Sequence, residues 1–291
     1  MRILVIGAGL VGTLAGARLR ELGHEVAATT TTPGKVEGLL EKFDEVLVLR
    51  GSDRDAVRAA LEGRDAVVVA AGPSAQSSMT PEERAVTYRE ILVETAESVT
   101  GATTSGDAPY LVALSSTSVY GNAQDHLDEI TEAGPVTDST DPSPTMFLAM
   151  EKVYLERAGD RACVFRCGDI FGAGDPPIEA KVAMAHQYLG GSVPFSGDAL
   201  FYRLAVEDAA DAIVHALENR ITGLHNLTHA EVPPTNAAIF DALSAAQDLP
   251  ALTYRDEIAS PQKPISVARL TESGFATTRS YDAVTLAAAN R

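Results

Sequence analysis

The chain has 291 residues, 45% of them hydrophobic, and a formal net charge of −17 from 40 acidic against 23 basic side chains. That length supports a large core plus a smaller second unit, and the acidic field repels nucleic acid and anionic membranes without barring an anionic cofactor held by local backbone and a few cations. Apolar runs stay short of the roughly 20 residues of a membrane span, and a core strand starts at residue 2 with no leader before it, so the expectation is a cytoplasmic protein.

Residues 1–12 read MRILVIGAGLVG. Residues 3–6 are a short apolar run with β-branching, suited to a buried parallel strand. Gly7-Ala8-Gly9-Leu10-Val11-Gly12 fits G-x-G-x-x-G, and helical spacing continues to a stop at Gly23. Gly7 permits the tight turn, Gly9 lets backbone approach a pyrophosphate, and Gly12 lets the helix pack close to the strand. The helix start at Leu10 and Val11 offers free N–H groups to the anion.

A second strand covers 25–29. In a dinucleotide fold its end meets the adenosine ribose, where an acid selects NAD and a base accommodates the extra phosphate of NADP. The segment from Thr29 through Thr30, Thr31 and Thr32 to Lys35 contains no acid, which favours NADP, with NAD still possible. The threonine hydroxyls either bond that phosphate or cap a helix over 36–43. Strand 46–49 is followed by Ser52 and Asp53, both candidates to meet the adenine, and a helix over 56–61. Strand four exits through Ala71 and Gly72, small enough for a ligand to lie against the backbone, although an ordinary loop exit has the same look. A polar loop (74–81), a helix over 81–99 and a polar connection (100–109) lead to strand five, 110–114.

Ser115-Ser116-Thr117-Ser118-Val119-Tyr120-Gly121 follows, then a long irregular acidic stretch, 122–144; loops of that length inside compact domains are often functional. A helix over 145–158 carries Lys152. Strand six covers 162–166, and the strand-like run ACVFRCG that includes it holds both cysteines, Cys163 and Cys167, roughly 13 Å apart along it, too far for a disulfide. After a turn-rich exit (168–175) come helices over 177–190 and 208–218, a strand over 223–228, a helix over 235–247, and then loop and short helix. The six histidines show no ligand spacing, so no metal is expected.

Read together, GAGLVG, SSTSVYG, Lys152 with Glu156, RCGDIFGAG and RLAVEDAADAI resemble the extended short-chain dehydrogenase/reductase superfamily, whose sugar-nucleotide epimerases and dehydratases carry matching blocks along nearly their whole length. The resemblance implies a Rossmann-type α/β fold, a doubly wound parallel sheet, with residues 1–175 and 204–229 forming the dinucleotide-binding domain. Residues 176–203 and 230–291 would form a small C-terminal substrate-side lobe. Ser116 matches the serine that holds the substrate oxygen. Aligning Lys152 with the family lysine puts Leu148 where the catalytic tyrosine of Tyr-x-x-x-Lys belongs, and leucine has no proton to give. The asparagine of the fourth helix is also missing, Ala85 standing near its place. The combination looks like the atypical, YeeZ-like branch, which the block from Gln262 to Phe275 also resembles.

Several residues keep two roles open. Lys152 bonds the nicotinamide ribose or pairs on the surface with Glu156 or Glu151. Tyr120 stands in as the acid or packs structurally, the latter favoured. Tyr154 points to a different helix face from Lys152. Arg203 and Arg166 bind an acidic substrate group or pair with carboxylates, and Glu207 and Asp208 anchor structure. Ser116, Lys152 and Tyr120 are thus the catalytic candidates. The cofactor candidates are Gly7, Gly9, Leu10, Val11, Gly12, Thr30, Thr31, Lys35, Ser52, Asp53, Ala71, Gly72 and Lys152. The functional expectation is an NADP-binding oxidoreductase- or epimerase-like protein acting, as a monomer or homodimer, on an unknown small molecule; the other class is a dinucleotide-sensing regulatory protein without hydride transfer.

Overall fold

The computed structural model describes residues 1–73, 80–102, 108–173 and 177–279. Its strands are β1 (Arg2–Ile6), β2 (Glu25–Thr30), β3 (Glu45–Val48), β4 (Ala66–Val69), β5 (Tyr110–Ser116), β6 (Ala162–Cys167), β7 (Asp169–Phe171), β8 (Ser192–Phe195), β9 (Arg203–Ala205), β10 (Gly223–Leu227) and β11 (Thr253–Ile258). The α-helices are α1 (Leu10–Glu21), α2 (Val36–Leu40), α3 (Arg54–Leu61), α4 (Pro81–Tyr88), α5 (Thr95–Gly101), α6 (Pro142–Ala158), α7 (Ile178–Leu189), α8 (Val206–Asn219), α9 (Asn236–Ala246) and α10 (Ala268–Glu272).

Seven strands form one parallel sheet in the order β10-β6-β5-β4-β1-β2-β3. The order reverses between β1 and β4, so the crevice outside the carboxyl ends of those strands is the topological switch point where ligands bind in such sheets. The central strands are buried on both faces: β4 is AVVV, buried at all four positions, as a parallel sheet covered by helices requires. One core comprises Leu4, Ile6, Val67, Val69, Leu111, Ala113 and Val164 with Met150 and Tyr154 of α6. Both cysteines are free and buried, and burial pushes the Cys167 thiol well above its ordinary pKa.

The chain divides into two compact units. The first comprises Met1–Ser116, Ser139–Cys167 and Val206–His225; the second comprises Thr117–Asp138, Gly168–Ala205 and Asn226–Arg291. The division differs from the expected domains in assigning 117–138, 168–175, 204–205 and 226–229 to the second unit. The first of these stretches is tied there by backbone bonds: Ile130 N donates to Pro264 O at 2.7 Å and Ser266 N to Ile130 O at 2.8 Å. Buried Gln124 pins the same stretch from within, donating through Nε2 to Thr131 O (3.1 Å) and Pro135 O (2.9 Å).

Other departures are local. The expected turn-rich exit contains β7, which pairs in parallel with β9. The expected loop near the C-terminus contains β11, paired with β8. Helix α6 starts three residues earlier than periodicity indicates, because Asp141 caps it, its Oδ1 accepting from Ser143 N at 2.8 Å, and Pro142 stands at the first position. The expected helix over 81–99 is continuous through α4 and α5, joined by a π-helical stretch at Arg89–Glu94. Residues 74–79, most of the expected polar loop, lie outside the described residues, as do 103–107 of the connection and 174–176 of the exit. Among the described residues no helix is long and apolar enough to cross a membrane, and no cluster of metal-ligating side chains occurs.

Candidate functional site

The three motif glycines divide into two kinds. Gly7 sits at φ +95°, and a Cβ there would lie 2.6 Å from Ala71 N. A Cβ at Gly12 would lie 2.1 Å from Gly7 O. These two are demanded by the fold itself: one by a left-handed turn pressed against the exit of β4, the other by close packing of α1 on its own turn. Gly12→Ala is accordingly expected to destabilise the chain by about 1–3 kcal/mol, the usual cost of overpacking, read from denaturant unfolding.

Gly9 is different. A Cβ there meets nothing within 4 Å, and the backbone has φ −86°. Gly9 is the N-cap of α1, no side chain caps that helix, and its first turn has no acid. The unfilled N–H groups and positive end of the helix dipole therefore face open space beside Gly9, as an anion site requires. Half-exposed Leu10 and buried Val11 form the first turn. The residues present fit a dinucleotide pyrophosphate.

Neighbouring strands supply the surroundings. Gly7 N donates to Thr29 Oγ1 at 3.1 Å, and Ala8 N to Thr29 O at 2.9 Å, so Thr29 is committed to holding the turn. Thr30 is buried, its Oγ1 accepting from Thr32 N at 3.1 Å. Thr31 and Lys35 are exposed, Lys35 closing a 3-10 turn at Pro33–Lys35. Asp53 caps α3, its Oδ1 accepting from Ala56 N at 3.1 Å, and Ser52 Oγ donates to Glu90 Oε1 at 3.3 Å. Ala71 is half-buried against Gly7, and Gly72 is exposed. The pairing of β1 with both β2 and β4 brings the glycine turn, Thr29–Thr31 and Ala71–Gly72 to one edge.

On the far side of β4, Ser116 ends β5, half-buried and in register with Cys167 of β6. Its neighbour Ser115 enters a network that the sequence did not reveal. Ser115 Oγ donates to Glu151 Oε1 at 2.6 Å, and Arg166 donates in bidentate fashion to the same carboxylate, Nε to Oε1 at 3.0 Å and Nη2 to Oε2 at 2.7 Å. The ion-paired side chains are each only 4% exposed. Arg166 therefore takes the structural one of its two roles.

That network also fixes the phase of α6. Glu151 faces the ends of β5 and β6, and Lys152 lies about 100° further round the helix. Its side chain is 71% exposed, with Nζ 3.9 Å from Glu156 Oε1. The surface pairing with Glu156 is the contact found for it. Leu148, half-buried, lies one turn earlier on the Lys152 stripe. Tyr154 is fully buried, its hydroxyl pKa raised by burial.

In the second unit, Tyr120 is fully buried and its hydroxyl donates to Asn226 Oδ1 at 2.5 Å. Asn226 in turn donates its backbone N–H to Glu132 Oε1 (2.7 Å) and its Nδ2 to Ser266 O (2.9 Å). This geometry is that of a packing tyrosine. Arg203 is also buried, its guanidinium carbon 4.1 Å from the Phe171 ring centroid and its Nε 3.7 Å from Asp169 Oδ2.

A parallel sheet with its switch point at an uncapped, glycine-opened helix start defines a protein of the Rossmann-type class. More particularly, the chain belongs to the NAD dependent epimerase/dehydratase family, whose model matches residues 3–228. Solved structures share the fold. A UDP-glucose 4-epimerase from Thermotoga maritima, solved with UDP-glucose, is 15% identical over 100% of this chain and 98% of its own, with a TM-score of 0.75. A short-chain dehydrogenase/reductase superfamily protein from Agrobacterium tumefaciens with bound NAD is 20% identical over 100% and 96%, with a TM-score of 0.74. MoeE5 in complex with UDP-glucuronic acid and NAD is 21% identical over 99% and 97%, with a TM-score of 0.75. No curated protein sequence matches the chain.

Proposed function

We propose that this family member binds NADP(H) in preference to NAD(H) at Gly7–Gly12. In this reading it is an oxidoreductase- or epimerase-like protein for a small molecule, its catalytic site altered or lost because α6 places no tyrosine for proton transfer. The observation that carries the binding half is the uncapped start of α1 beside Gly9, whose missing side chain leaves room for an anion. The cofactor would be held by backbone N–H groups of the first turn, with Thr31 and Lys35 toward its adenosine end and Ala71 and Gly72 along the β4 exit. When bound, it supplies or accepts hydride; Ser116, at the end of β5, holds a substrate oxygen.

The preference for NADP rests on charge. No acid stands between Thr29 and Lys35 to bond a ribose hydroxyl and repel a phosphate, and Lys35 is exposed there. Calorimetric titration of the wild type with NADPH and NADH tests it, with tighter binding of NADPH expected. Lys35→Ala should narrow the difference by about two- to fivefold, as expected for one exposed charge contact worth up to ~1 kcal/mol. Comparable dissociation constants for the two cofactors in the wild type would refute the preference.

The chemical half is carried by what α6 lacks. Lys152 and Tyr154 are its sole lysine and tyrosine, the first 71% exposed and the second fully buried. A positioned acid/base contributes about 10²- to 10⁴-fold, so turnover of ordinary carbonyl and sugar-nucleotide substrates, followed by cofactor absorbance, should fall far below the usual 1 to 10³ per second or so. Rates in that range would show that a proton donor lies elsewhere in the site.

A further inference from the structure

The phase of α6 identifies which of its residues meet the ligand crevice. The helix runs antiparallel to the strands: its C-terminal end at Ala158 leads, through Gly159–Arg161, into the start of β6 at Ala162. Its N-terminal turns therefore approach the carboxyl edge of the sheet, where ligands bind. Glu151 marks the level of that edge, because it bonds Ser115 and Arg166, which are paired near the ends of β5 and β6. Phe147 lies one turn nearer the helix N-terminus on the same stripe, and Ser143 two turns, at about 6 and 12 Å further along the axis. Phe147 is half-buried and packs against the core on this face of the sheet.

The dinucleotide has a direction on this sheet. Its adenosine half lies toward the end of β2, so with the pyrophosphate at the β1–α1 turn, the nicotinamide half lies on the other side of the switch point, over β4, β5 and β6. We propose that Phe147, with Ser143 above it, forms the α6 wall of the crevice for the nicotinamide half. In this arrangement an apolar aromatic face packs against the nicotinamide ring, and Leu148 and Lys152 are outside the crevice. The inference rests on the dinucleotide reading above and deepens it.

The chain has no tryptophan, so each engineered indole is a single reporter. Phe147→Trp and Lys152→Trp are titrated with NADP⁺, which lacks the near-ultraviolet absorption of the reduced form and quenches by contact. Emission from Phe147→Trp should fall on saturation while that from Lys152→Trp stays level. Calorimetry should show Phe147→Ala binding the cofactor about two- to tenfold more weakly, the loss expected for one aromatic contact. Lys152→Ala should bind within about twofold of wild type, since exposed pairs contribute little. Quenching of Lys152→Trp with none of Phe147→Trp, or a tenfold loss in Lys152→Ala, overturns the assignment while leaving dinucleotide binding intact. Absence of any binding by the wild type overturns the dinucleotide reading and this wall with it. If the Phe147 variants fail to fold, the Lys152 pair alone still decides: loss of affinity or quenching there refutes the assignment, and unchanged binding with level emission supports it.

Discussion

Gly9→Glu is expected to abolish dinucleotide binding and leave the fold intact. The backbone at Gly9 has φ −86°, which any residue adopts, and a Cβ there meets nothing within 4 Å. The new carboxylate would sit at the uncapped start of α1, where a negative charge is worth about 0.3–1 kcal/mol to the helix. The melting temperature should therefore hold or rise slightly. The same carboxylate occupies the place of the pyrophosphate and repels it. Like charges forced together cost several kcal/mol, and each 1.4 kcal/mol or so is tenfold, so affinity should drop by about 100-fold or more. Calorimetric titration and a thermal melt read both effects. A variant that binds like wild type would place the cofactor away from the glycine turn; one that unfolds would show that Gly9 serves the fold, as Gly7 and Gly12 do.

Glu151→Ala should be the most damaging single substitution for stability away from the glycines. It removes the carboxylate that accepts two bonds from Arg166 and one from Ser115 in a site where both charged side chains are 4% exposed. Breaking a buried pair strands an uncompensated charge, at a cost of about 3–5 kcal/mol. For a chain of this size each kcal/mol lowers the melting temperature by roughly 2–4 °C, so a drop on the order of 10 °C should be plain in a thermal melt. The double change Glu151→Met with Arg166→Met should recover most of the loss, because an apolar pair of similar volume is often as stable as a buried ion pair. A loss below about 1 kcal/mol in the single variant would mean that water reaches the pair, since that is the range of exposed ion pairs.

The sequence by itself carried the elements whose signals are local. Strand, glycine turn and helix at residues 2–21 are legible because a left-handed turn, a close approach and an apolar run each demand particular residues in order. The alternation of apolar strands with helices gives the parallel sheet for the same reason, and family membership follows from blocks spread along the chain. That α6 contains no Tyr-x-x-x-Lys is also read from the sequence. What escaped was decided by partners distant in the chain. Strand β11, TYRDEI, is largely exposed and so shows no apolar alternation; only pairing with β8 makes it a strand. Residues 122–144 read as an irregular stretch because the bridge that anchors it, at Ile130, is made to residues near 265. The site assignment on α6 turned on helix phase. Met146, Phe147, Leu148, Ala149 and Met150 leave no polar gap to mark which side is buried, and Glu151 and Lys152 are both charged. Family alignment chose Lys152 as the residue facing the site. Arg166, arriving on β6 fifteen residues after Glu151, pairs with that carboxylate in a site where both are 4% exposed, while Lys152 next to it is 71% exposed, because a buried charge is held only with a partner and adjacent residues lie about 100° apart on a helix.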